Sequence, residues 1–547
     1  MKVHEALARS FVAEQVECVF SVMGDGNLFW LAQISELGVS NYNARHEAGA
    51  VAMADGYARA SGRLGIATVT CGPGLTQTAT SLTAAVRYRV PLVLFLGDSP
   101  RGDRTNVQYL DQRRFAEACG AEFIPVATAG TALRDAKEAF RLATELRTAV
   151  VLNVPIDVQD EDLPEPFDYQ PASTEVAGIE YVPDADQIDR AAGLLASSLR
   201  PIFIVGRGAI ASGARDIVEK LAKQVGALLS TTMLANGWLE DVPFQLGLAG
   251  TFSSERTMGL FAQADCVVAI GAGLNDYTTQ NGFLFRDARV IQIADEAVPP
   301  GPSAQRVDCF LQGDARKTLE IISDMFTEAG HEEQGLRTDA MAAELEAAVD
   351  PESIGFGRAE VDGRLDPRYV AAELDRLLPD DCLIVQGAGH FWTFPIALIG
   401  GRRRRFVYSN GFGSIGQALP IGVGAAIGCP ERPLVVIEGD TSLFMHLQEL
   451  DTAARYGVPM TVVVMNDDAM GAELHKLRSR GFDGSESIVT NPDFGEVATA
   501  LGGSGVTVRD LADLEDALKA TNGAGPHVVD VKLTQAVTSM GGMGAKE

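Results

Sequence analysis

The segment Val435–Lys476 carries acidic residues at two points where apolar runs end. Asp440 follows the first run, and Asn466, Asp467 and Asp468 follow the second, after an intervening helical pattern. Because the carboxyl ends of parallel strands meet at one edge of a sheet, these acids should lie together where ligands bind. Carboxylate and loop carbonyl oxygens suit Mg²⁺, a hard cation that also holds phosphates. Either acid alone could instead cap a helix.

A second group of candidate residues lies in Asn43–Ala85. Glu47 follows a predicted strand and opens a predicted helix, and Gly72–Gly74 predicts a tight turn before another helix. Taken alone, Glu47 is an acid of the kind that the dipole of a helix N-terminus favours. The glycine-rich segment Asn410–Ala426 also enters a helix, a common arrangement that carries little information by itself.

The elements that must position these residues are buried parallel strands. Continuous apolar runs alternate with helical patterns along the chain, which predicts an α/β fold with sheets covered on both faces. The runs expected to be strands are Gly65–Thr70, Pro91–Leu96, Ala149–Val154, Pro201–Val205, Cys266–Ile270, Val290–Ile293, Cys382–Val385, Pro433–Ile437 and Met460–Met465.

Two stretches break this alternation and are interpreted as linkers. Residues near Asp160–Asp184 are rich in acids and prolines, and residues near Glu328–Asp366 carry acids and glycines with no convincing strand. We therefore expect three doubly wound parallel-sheet domains, at residues 1–165, 185–335 and 360–535. The tail Ser539–Glu547 is rich in Gly and Met and is expected to be a frayed end or a closing flap.

Composition narrows the functional class. The 547 residues carry a formal net charge of −28, which disfavours binding to nucleic acid or to an anionic membrane. The arginine run Arg402–Arg405 is the one strongly basic exception. Seven scattered cysteines without a CxxC pair fit a reduced cytoplasm better than a disulfide framework. The N-terminus lacks an apolar signal core, and no apolar run is long enough to span a membrane.

Taken together, these segments resemble the thiamine-diphosphate-dependent superfamily of acetolactate synthase, pyruvate decarboxylase and benzoylformate decarboxylase. Its metal signature is Gly-Asp, about two dozen residues, then usually Asn-Asn; here Gly439-Asp440 and Asn466-Asp467 match it. The resemblance implies pyrimidine-binding, central and diphosphate-binding domains, with thiamine diphosphate and Mg²⁺ as cofactors. By resemblance, Asp440, Asp467 and the main-chain carbonyl of Ala469 bind the metal. The chain departs from the pattern at Asp467, usually Asn, and at Thr441, usually Gly.

The resemblance also assigns contacts to the organic part of the cofactor. Glu47 matches the glutamate that bonds N1′ of the aminopyrimidine and so promotes formation of the C2 ylide, which leads to an enamine intermediate. Ile415 matches the apolar residue that bends the cofactor into a V, and the carbonyl of Gly413 would accept a bond from its 4′-amino group. The remaining positions implied to contact the cofactor are Gly72, Gly389, His390, Gly439, Thr441, Ser442 and Met470.

Three further residues are implied to face the substrate. Asp25 matches the aspartate of a Gly-Asp turn in pyruvate decarboxylases, and Glu473 aligns with their active-site glutamate. Two carboxylates at one reacting centre can act as acid and base. The adjacent histidine pair of those decarboxylases is absent from Gly97–Phe115, where Gln108 instead resembles the glutamine of carboligating relatives. Plausible pocket walls are Met23, Cys71, Phe391, Trp392 and Met470.

The implied function is that of a 2-oxo acid decarboxylase or carboligase, in which an aldehyde or oxo acid could serve as acceptor. One alternative is a lyase that splits a 2-hydroxyacyl-CoA or 2-hydroxy ketone, with the arginine run meeting a CoA phosphate. Another is a non-catalytic, cofactor-binding homologue. Pro201–Ala214 and Ala269–Gly282 resemble the central domain, which leaves binding of FAD or ADP open. The resemblance further implies a homodimer or homotetramer with active sites at the subunit interface. Ala469–Ser487 is predicted to be a mobile lid.

Overall fold

The computed structural model describes residues 1–172, 181–296, 306–331, 335–346, 360–401, 403–521 and 523–539. These residues form three six-stranded parallel sheets and one short antiparallel hairpin. The predicted fold, three doubly wound parallel α/β domains, is therefore confirmed. Each of the nine predicted strands is present, and their ends differ from the prediction by no more than two residues.

The first and third sheets share one topology. The first has the order β2-β1-β3-β4-β6-β5, and the third repeats it as β16-β15-β17-β18-β20-β19. The strands of the first sheet are β1 Cys18–Ser21, β2 Ser40–Asn43, β3 Gly65–Val69, β4 Leu92–Asp98, β5 Glu122–Pro125 and β6 Ala149–Pro155. Those of the third are β15 Leu383–Gln386, β16 Arg405–Tyr408, β17 Leu434–Gly439, β18 Met460–Asn466, β19 Ser504–Val508 and β20 Pro526–Lys532.

The second sheet has a different strand order, β9-β8-β7-β10-β11-β12. Successive strands are added outwards on one side of β7 and then on the other, so the topological switch point lies between β7 and β10. Its strands are β7 Pro201–Val205, β8 Leu228–Thr231, β9 Gln245–Leu248, β10 Cys266–Ile270, β11 Arg289–Ala294 and β12 Cys309–Gln312. The turns after β7 and β10 press together, since Gly206 donates its amide to Ile270 and Gly208 donates to Gly271. This backbone contact accounts for the glycines there without a nucleotide, so they are no evidence for FAD or ADP.

Helices cover both faces of the sheets. Those around the first sheet are α1 Val3–Ala13, α2 Leu28–Glu36, α3 Glu47–Ser61, α4 Pro73–Thr76, α5 Ala79–Arg87, α6 Gln112–Ala118, α7 Ala132–Glu145 and α8 Ile156–Gln159. Those around the second are α9 Ala185–Ala196, α10 Arg207–Ala211, α11 Arg215–Gln224, α12 Glu255–Gln263, α13 Asp276–Thr279, α14 Ala315–Glu328 and α15 Asp339–Glu346. Those around the third are α16 Pro367–Leu377, α17 Thr393–Leu398, α18 Ala418–Gly428, α19 Asp440–Met445, α20 Glu449–Arg455, α21 Gly471–Ser479, α22 Phe494–Ala500 and α23 Leu514–Lys519.

The core explains why the strands are continuously apolar. In β4, Leu94 packs into one buried cluster while its neighbours Val93 and Phe95 pack into another on the opposite face. The cluster that contains Leu94 also contains Val436 of β17 and Val462 of β18, so the first and third sheets share one core. Burial on both faces leaves no alternation of polar side chains along such strands.

Helices α3 and α18 join these two sheets by direct backbone contact. A Cβ atom at Gly56 would overlap the carbonyl of Ile421, and one at Gly424 would overlap the carbonyl of Met53. Only glycine allows two helices to approach this closely. The helix that begins with Glu47 is thereby fixed against the third sheet of its own chain.

The interpretation of Glu328–Asp366 as a strand-free linker was wrong for the part that is described. Helix α15 lies in it, and β13 Glu360–Val361 pairs antiparallel with β14 Arg364–Leu365. Asp362 and Gly363 both have positive φ, as a two-residue hairpin turn requires. The Asp-Gly pair was the available signal. Residues 332–334 and 347–359 of this stretch, residues 173–180 within the other proposed linker, and residues 540–547 of the proposed tail flap lie outside the described residues.

The described part of the arginine run is not uniformly solvated. Arg404 is fully buried, forms an ion pair with Asp375 and donates to the carbonyls of Leu378 and Pro379. Its neighbours Arg403 and Arg405 are exposed, and Arg402 lies outside the described residues. Arg404 therefore links the C-terminal end of α16 to the start of β16.

Replacing Arg404 by alanine should lower the free energy of unfolding by about 3 kcal/mol, because it leaves Asp375 and several carbonyls without their buried partner. Urea unfolding followed by circular dichroism measures the change. The exposed Arg403→Ala variant is the matched control and should stay within about 0.5 kcal/mol of the parent protein. Equal effects of the two substitutions would contradict this role for Arg404.

Candidate active site

The topology brings two predicted site segments to the switch point of the third sheet. Strands β15 and β17 are neighbours, and the chain leaves them towards Gly389-His390 and Asp440 respectively. Strand β18 pairs with β17, with Met465 opposite Gly439, so Asp467 follows at the same edge. Ligands of open α/β sheets bind at this kind of crevice.

Asp440 is an acid in a nearly fully buried position. It begins α19, its side chain accepts a hydrogen bond from the amide of Thr441 at 2.7 Å, and only 3% of the residue is exposed. Burial, followed by the nearby charges of Asp467 and Asp468, raises the pKa of Asp440 to about 7. A carboxyl in such a position is stabilised by a cation.

The other two acids of the loop differ in their partners. Asp467 accepts from the amide of Ala469 at 3.2 Å and lies near His390. Asp468 has a left-handed φ of +54° and pairs with Arg364 of the hairpin at 2.5 Å. The structure therefore leaves Asp440 and Asp467 as the two acids that could face a ligand.

Metal-binding capacity at this edge rests on few side chains. Among the described residues, no group of three or more His, Cys, Asp or Glu side chains is arranged to hold a metal ion. A cation beside Asp440 and Asp467 would thus need main-chain or ligand oxygens to complete its shell. The predicted main-chain ligand, Ala469, is buried and forms a bridge with Ile488.

Asn491 is a site residue that the sequence reasoning missed. Its side-chain amide donates to Asp440 at 2.7 Å and to Asp468 at 3.2 Å. The residue lies in a Thr-Asn-Pro turn some fifty positions after Asp440. That turn was the only signal, and an Asn-Pro pair ordinarily indicates nothing beyond a turn.

Buried polar atoms without a partner are concentrated at this edge. Buried polar groups are normally hydrogen-bonded, so an unpaired set indicates a missing polar ligand. Within the described part of the chain, the unpaired atoms near the two acids are Ser414 Oγ, Thr441 Oγ1, His390 Nε2, His475 Nε2 and Asn491 Oδ1. The hydroxyl and imidazole groups of this set can donate, and donors beside two acids fit a phosphate-bearing ligand held with a cation; Asn491 Oδ1 can only accept. Ser442, by contrast, is occupied: its hydroxyl accepts from the amide of Gly416 at 2.7 Å.

The predicted pyrimidine segment follows β16. Gly413 is exposed with a φ of +70°, and Ile415 is half-buried. Gly416 also has a positive φ, and a Cβ atom there would lie 2.7 Å from the Cβ of Met445. The loop therefore passes closely over the end of α19 with Ile415 presented at its surface.

The first sheet has its own switch point, between β1 and β3. Asp25 lies exposed in the turn after β1, and Cys71 and Gly72 follow β3. The thiol of Cys71 donates to the side-chain oxygen of Gln108 at 3.1 Å. Burial, together with the charges of Asp98 and Asp25, raises the pKa of that thiol. The structure thus brings Asp25, Cys71 and Gln108 together.

Gly72 has a structural reason of its own. Its φ is +58°, a Cβ atom there would overlap the carbonyl of Gln108, and its amide donates to Gln112 at 2.8 Å. The glycine thereby lets the turn contact the loop that carries Gln108.

Glu47 is half-buried at the first position of α3, and its carboxylate has no hydrogen bond or ion pair to another described residue. Its neighbour His46 faces His446 with ring centroids 5.8 Å apart. Glu449, an acid near Glu47 that the sequence analysis did not single out, is fully buried beside Gly49. Its carboxylate accepts a hydrogen bond from the amide of Arg45. Burial raises the pKa of Glu449.

Of the remaining predicted residues, Glu473 is exposed on α21 and Met470 is 44% exposed just before it. Phe391 is buried in the core beneath Gly439, which makes it a packing residue more than a pocket wall. Met23 is largely exposed beside Asp25. Among the described residues, no helix is both long and apolar enough to cross a bilayer.

Comparison with known families agrees with this geometry at both ends of the chain. Models of the thiamine pyrophosphate enzymes match at residues 1–118 (N-terminal TPP binding domain), 188–322 (central domain) and 388–531 (C-terminal TPP binding domain). An acetolactate synthase of Arthrospira platensis is 27% identical, over 97% of this chain and 94% of that protein. A sulfoacetaldehyde acetyltransferase of Castellaniella defragrans is 27% identical, over 94% of this chain and 89% of that protein.

A probable 2-ketoarginine decarboxylase, AruI, of Pseudomonas aeruginosa is 28% identical, over 94% of this chain and 91% of that protein. The three family models match, in order, a part of each of the three parallel-sheet domains. The resemblance inferred from the motifs is confirmed: the chain is an enzyme of the thiamine pyrophosphate (thiamine diphosphate) enzyme family.

Proposed function

We propose that this enzyme uses thiamine diphosphate and Mg²⁺ to decarboxylate a 2-oxo acid and to join the acyl unit to an aldehyde or oxo-acid acceptor. The observation that carries the proposal is the edge of the third sheet, where Asp440, Asp467 and unpaired polar atoms lie together. The activities named for the three relatives support the same broad chemistry.

Asp440, Asp467 and the carbonyl of Ala469 would hold Mg²⁺, and the unpaired donors around them would bind the diphosphate. Thr441 and His390 contribute such donors, each with a buried atom that lacks a partner among the described residues. Because these donor atoms are already buried in the folded protein, they lose little water and need little rearrangement when a diphosphate binds.

Bound thiamine diphosphate supplies a thiazolium ring that accepts the electron pair released when the bond beside the carbonyl breaks. Glu47 would share its proton with N1′ of the aminopyrimidine, and its unpartnered carboxylate is free to do so. The carbonyl of Gly413 would accept from the 4′-amino group, while Ile415 supports the bent conformation. The contacts from Gly413 and Ile415 would only orient the cofactor, whereas Glu47 would take part in its activation.

On the substrate side, Asp25 and Glu473 would exchange protons, and Gln108 would bind a substrate oxygen through its amide. The contact from Cys71 occupies the oxygen of Gln108, which turns the NH₂ group away from the thiol. The Gly97–Phe115 stretch contains no histidine to donate a proton quickly. Slow protonation at the acyl carbon leaves time for an acceptor to react, which favours carboligation.

The active enzyme should be a homodimer or homotetramer with sites at the subunit interface. Apolar side chains are exposed beside both half-sites: Met23, Val107 and Tyr109 near Asp25 and Gln108, and Phe444, Met445 and Met470 near the acids. Such patches mark interaction surfaces. We place the domain bounds at 1–165, 185–335 and 360–535, and the enzyme in the cytoplasm, since all seven cysteines are free and buried.

The test is a panel of 2-oxo acids given to the protein with thiamine diphosphate and Mg²⁺, with and without aldehyde acceptors. Mass spectrometry should detect CO₂ together with a 2-hydroxy ketone from an aldehyde acceptor, or a 2-hydroxy-3-oxo acid from an oxo-acid acceptor. Aldehyde alone, over a wide range of acceptors, would remove the carboligase proposal. No turnover of any acid by cofactor-loaded protein would revive the non-catalytic alternative, and cleavage of a 2-hydroxyacyl-CoA would favour the lyase.

A further inference from the structure

His390 and His475 form a close imidazole pair beside Asp467. Their ring centroids are 4.4 Å apart at an interplanar angle of 39°. The Nδ1 atom of His390 lies 3.8 Å from a carboxylate oxygen of Asp467, and the side chain of His390 is only 8% exposed. His390 was predicted to contact the diphosphate, whereas His475 had no assigned role.

Both Nε2 atoms of this pair are buried and have no hydrogen-bond partner among the described residues. A buried ring nitrogen left unpaired is unfavourable, so the pair is arranged for a ligand that completes it. Two N–H donors side by side suit the oxygens of one anion. The position beside a predicted metal ligand indicates an anion that is held together with the cation.

The start of α21 explains how His475 reaches this position. A Cβ atom at Gly471 would lie 2.7 Å from a carboxylate oxygen of Asp467 and 2.9 Å from the Cβ of His390. The first turn of the helix therefore packs directly on the two residues. Positions four apart lie on the same helix face, so His475 follows Gly471 onto that surface while Glu473 projects elsewhere.

We propose that His475 is a second imidazole donor to the cofactor diphosphate, beside His390, and that this bond fastens α21 with Glu473 over the site. The inference rests on the proposed function, since it presumes that thiamine diphosphate binds at this edge. Helix α21 would then bind the cofactor through His475, in addition to carrying Glu473, which is proposed to face the substrate. The anchored helix would form part of the predicted lid, Ala469–Ser487.

The test compares His475→Phe, which keeps an aromatic ring but removes the donor, with His475→Gln, which keeps a donor. Lys476→Ala, an exposed change on the same helix, is the matched control. With saturating Mg²⁺, tryptophan fluorescence titration should give His475→Phe about tenfold weaker binding of thiamine diphosphate. The Gln variant should recover part of this loss, and Lys476→Ala should bind as the parent does.

Two further readouts separate diphosphate binding from a structural role. Thiamine monophosphate should lose less affinity than thiamine diphosphate in the Phe variant. Trypsin should cut at the exposed Arg478 and Arg480 in the apo protein. Thiamine diphosphate should protect these sites in the parent but not in His475→Phe.

Parent-like affinity of His475→Phe for thiamine diphosphate would overturn the inference. It would also be overturned if both ligands were weakened equally and the apo thermal midpoint fell, because the residue would then act only through packing. A parent protein that binds no thiamine diphosphate at all would instead contradict the proposed function, so the two failures are distinguishable.

Discussion

Glu47→Gln is expected to lower kcat by about a thousandfold, while thiamine diphosphate still binds with nearly parent affinity. The carboxylate has no partner among the described residues, so its replacement removes no internal ion pair. General acid–base groups contribute roughly 10²- to 10⁴-fold, and glutamine cannot hold the proton at N1′. Most of the proposed cofactor contacts come from the third domain and would stay intact. Steady-state assay and cofactor titration on the same preparation measure both quantities.

The control is Glu36→Gln, an exposed change at the end of α2 in the same domain, which should leave kcat and affinity unchanged. If the Glu47 variant turned over at the parent rate, the proposed mechanism would be wrong. If it lost cofactor binding entirely, Glu47 would be a binding residue and not one that activates the cofactor.

Asp440→Asn should have two effects of opposite sign: loss of Mg²⁺-dependent cofactor binding and a more stable apo protein. The pKa of Asp440 is raised to about 7 by burial and by Asp467 and Asp468, whereas an unfolded aspartate titrates near about 3.9. The free energy of unfolding of the apo protein therefore falls as the pH rises from about 4, and the whole loss is present above about pH 7. An amide carries no such charge and is less costly to bury. On the proposed function, the substitution also deletes one ligand of the cation that would hold the diphosphate.

Calorimetry without ligands should show a higher thermal midpoint for Asp440→Asn than for the parent at pH 8, by a few degrees for about 1–2 kcal/mol. The difference should vanish near pH 4. Asp468→Asn is the matched comparison in the same loop, and it should not stabilise the protein because it loses the ion pair to Arg364. A lower midpoint for Asp440→Asn at pH 8 would contradict the electrostatic reasoning.

Sequence patterns revealed the central strands of each sheet because those strands are apolar on both faces. Strand β2 has the sequence Ser-Asn-Tyr-Asn and is at most half-buried, and β5 begins with an exposed glutamate. Both lie at the edges of the first sheet, where one side of the strand meets solvent. Short, half-polar edge strands carry no continuous apolar run, so the pattern that found β4 could not find them.

The candidate site was predictable where its residues follow strands in a fixed spacing, as Asp440 and Asp467 do. Asn491 and His475 could not be recognised in this way, because each is brought to the site by folding of a later segment. Asn491 reaches Asp440 across fifty-one positions of chain. A single histidine or asparagine in a sequence can have many structural roles. Only the contacts that it makes in the folded protein show which residues it meets. The roles of all these residues stay predictions until the variants are measured.

The glycine contacts between α3 and α18 have a consequence for how this enzyme can diverge. Since peptide atoms of the two helices touch, the distance from one domain to the other does not depend on the size of any side chain. Substitutions elsewhere can accumulate without shifting Glu47, which begins α3, against the third sheet of the same chain. A side chain at Gly56 or Gly424 would force the two helices apart, so this spacing depends on both positions remaining glycine.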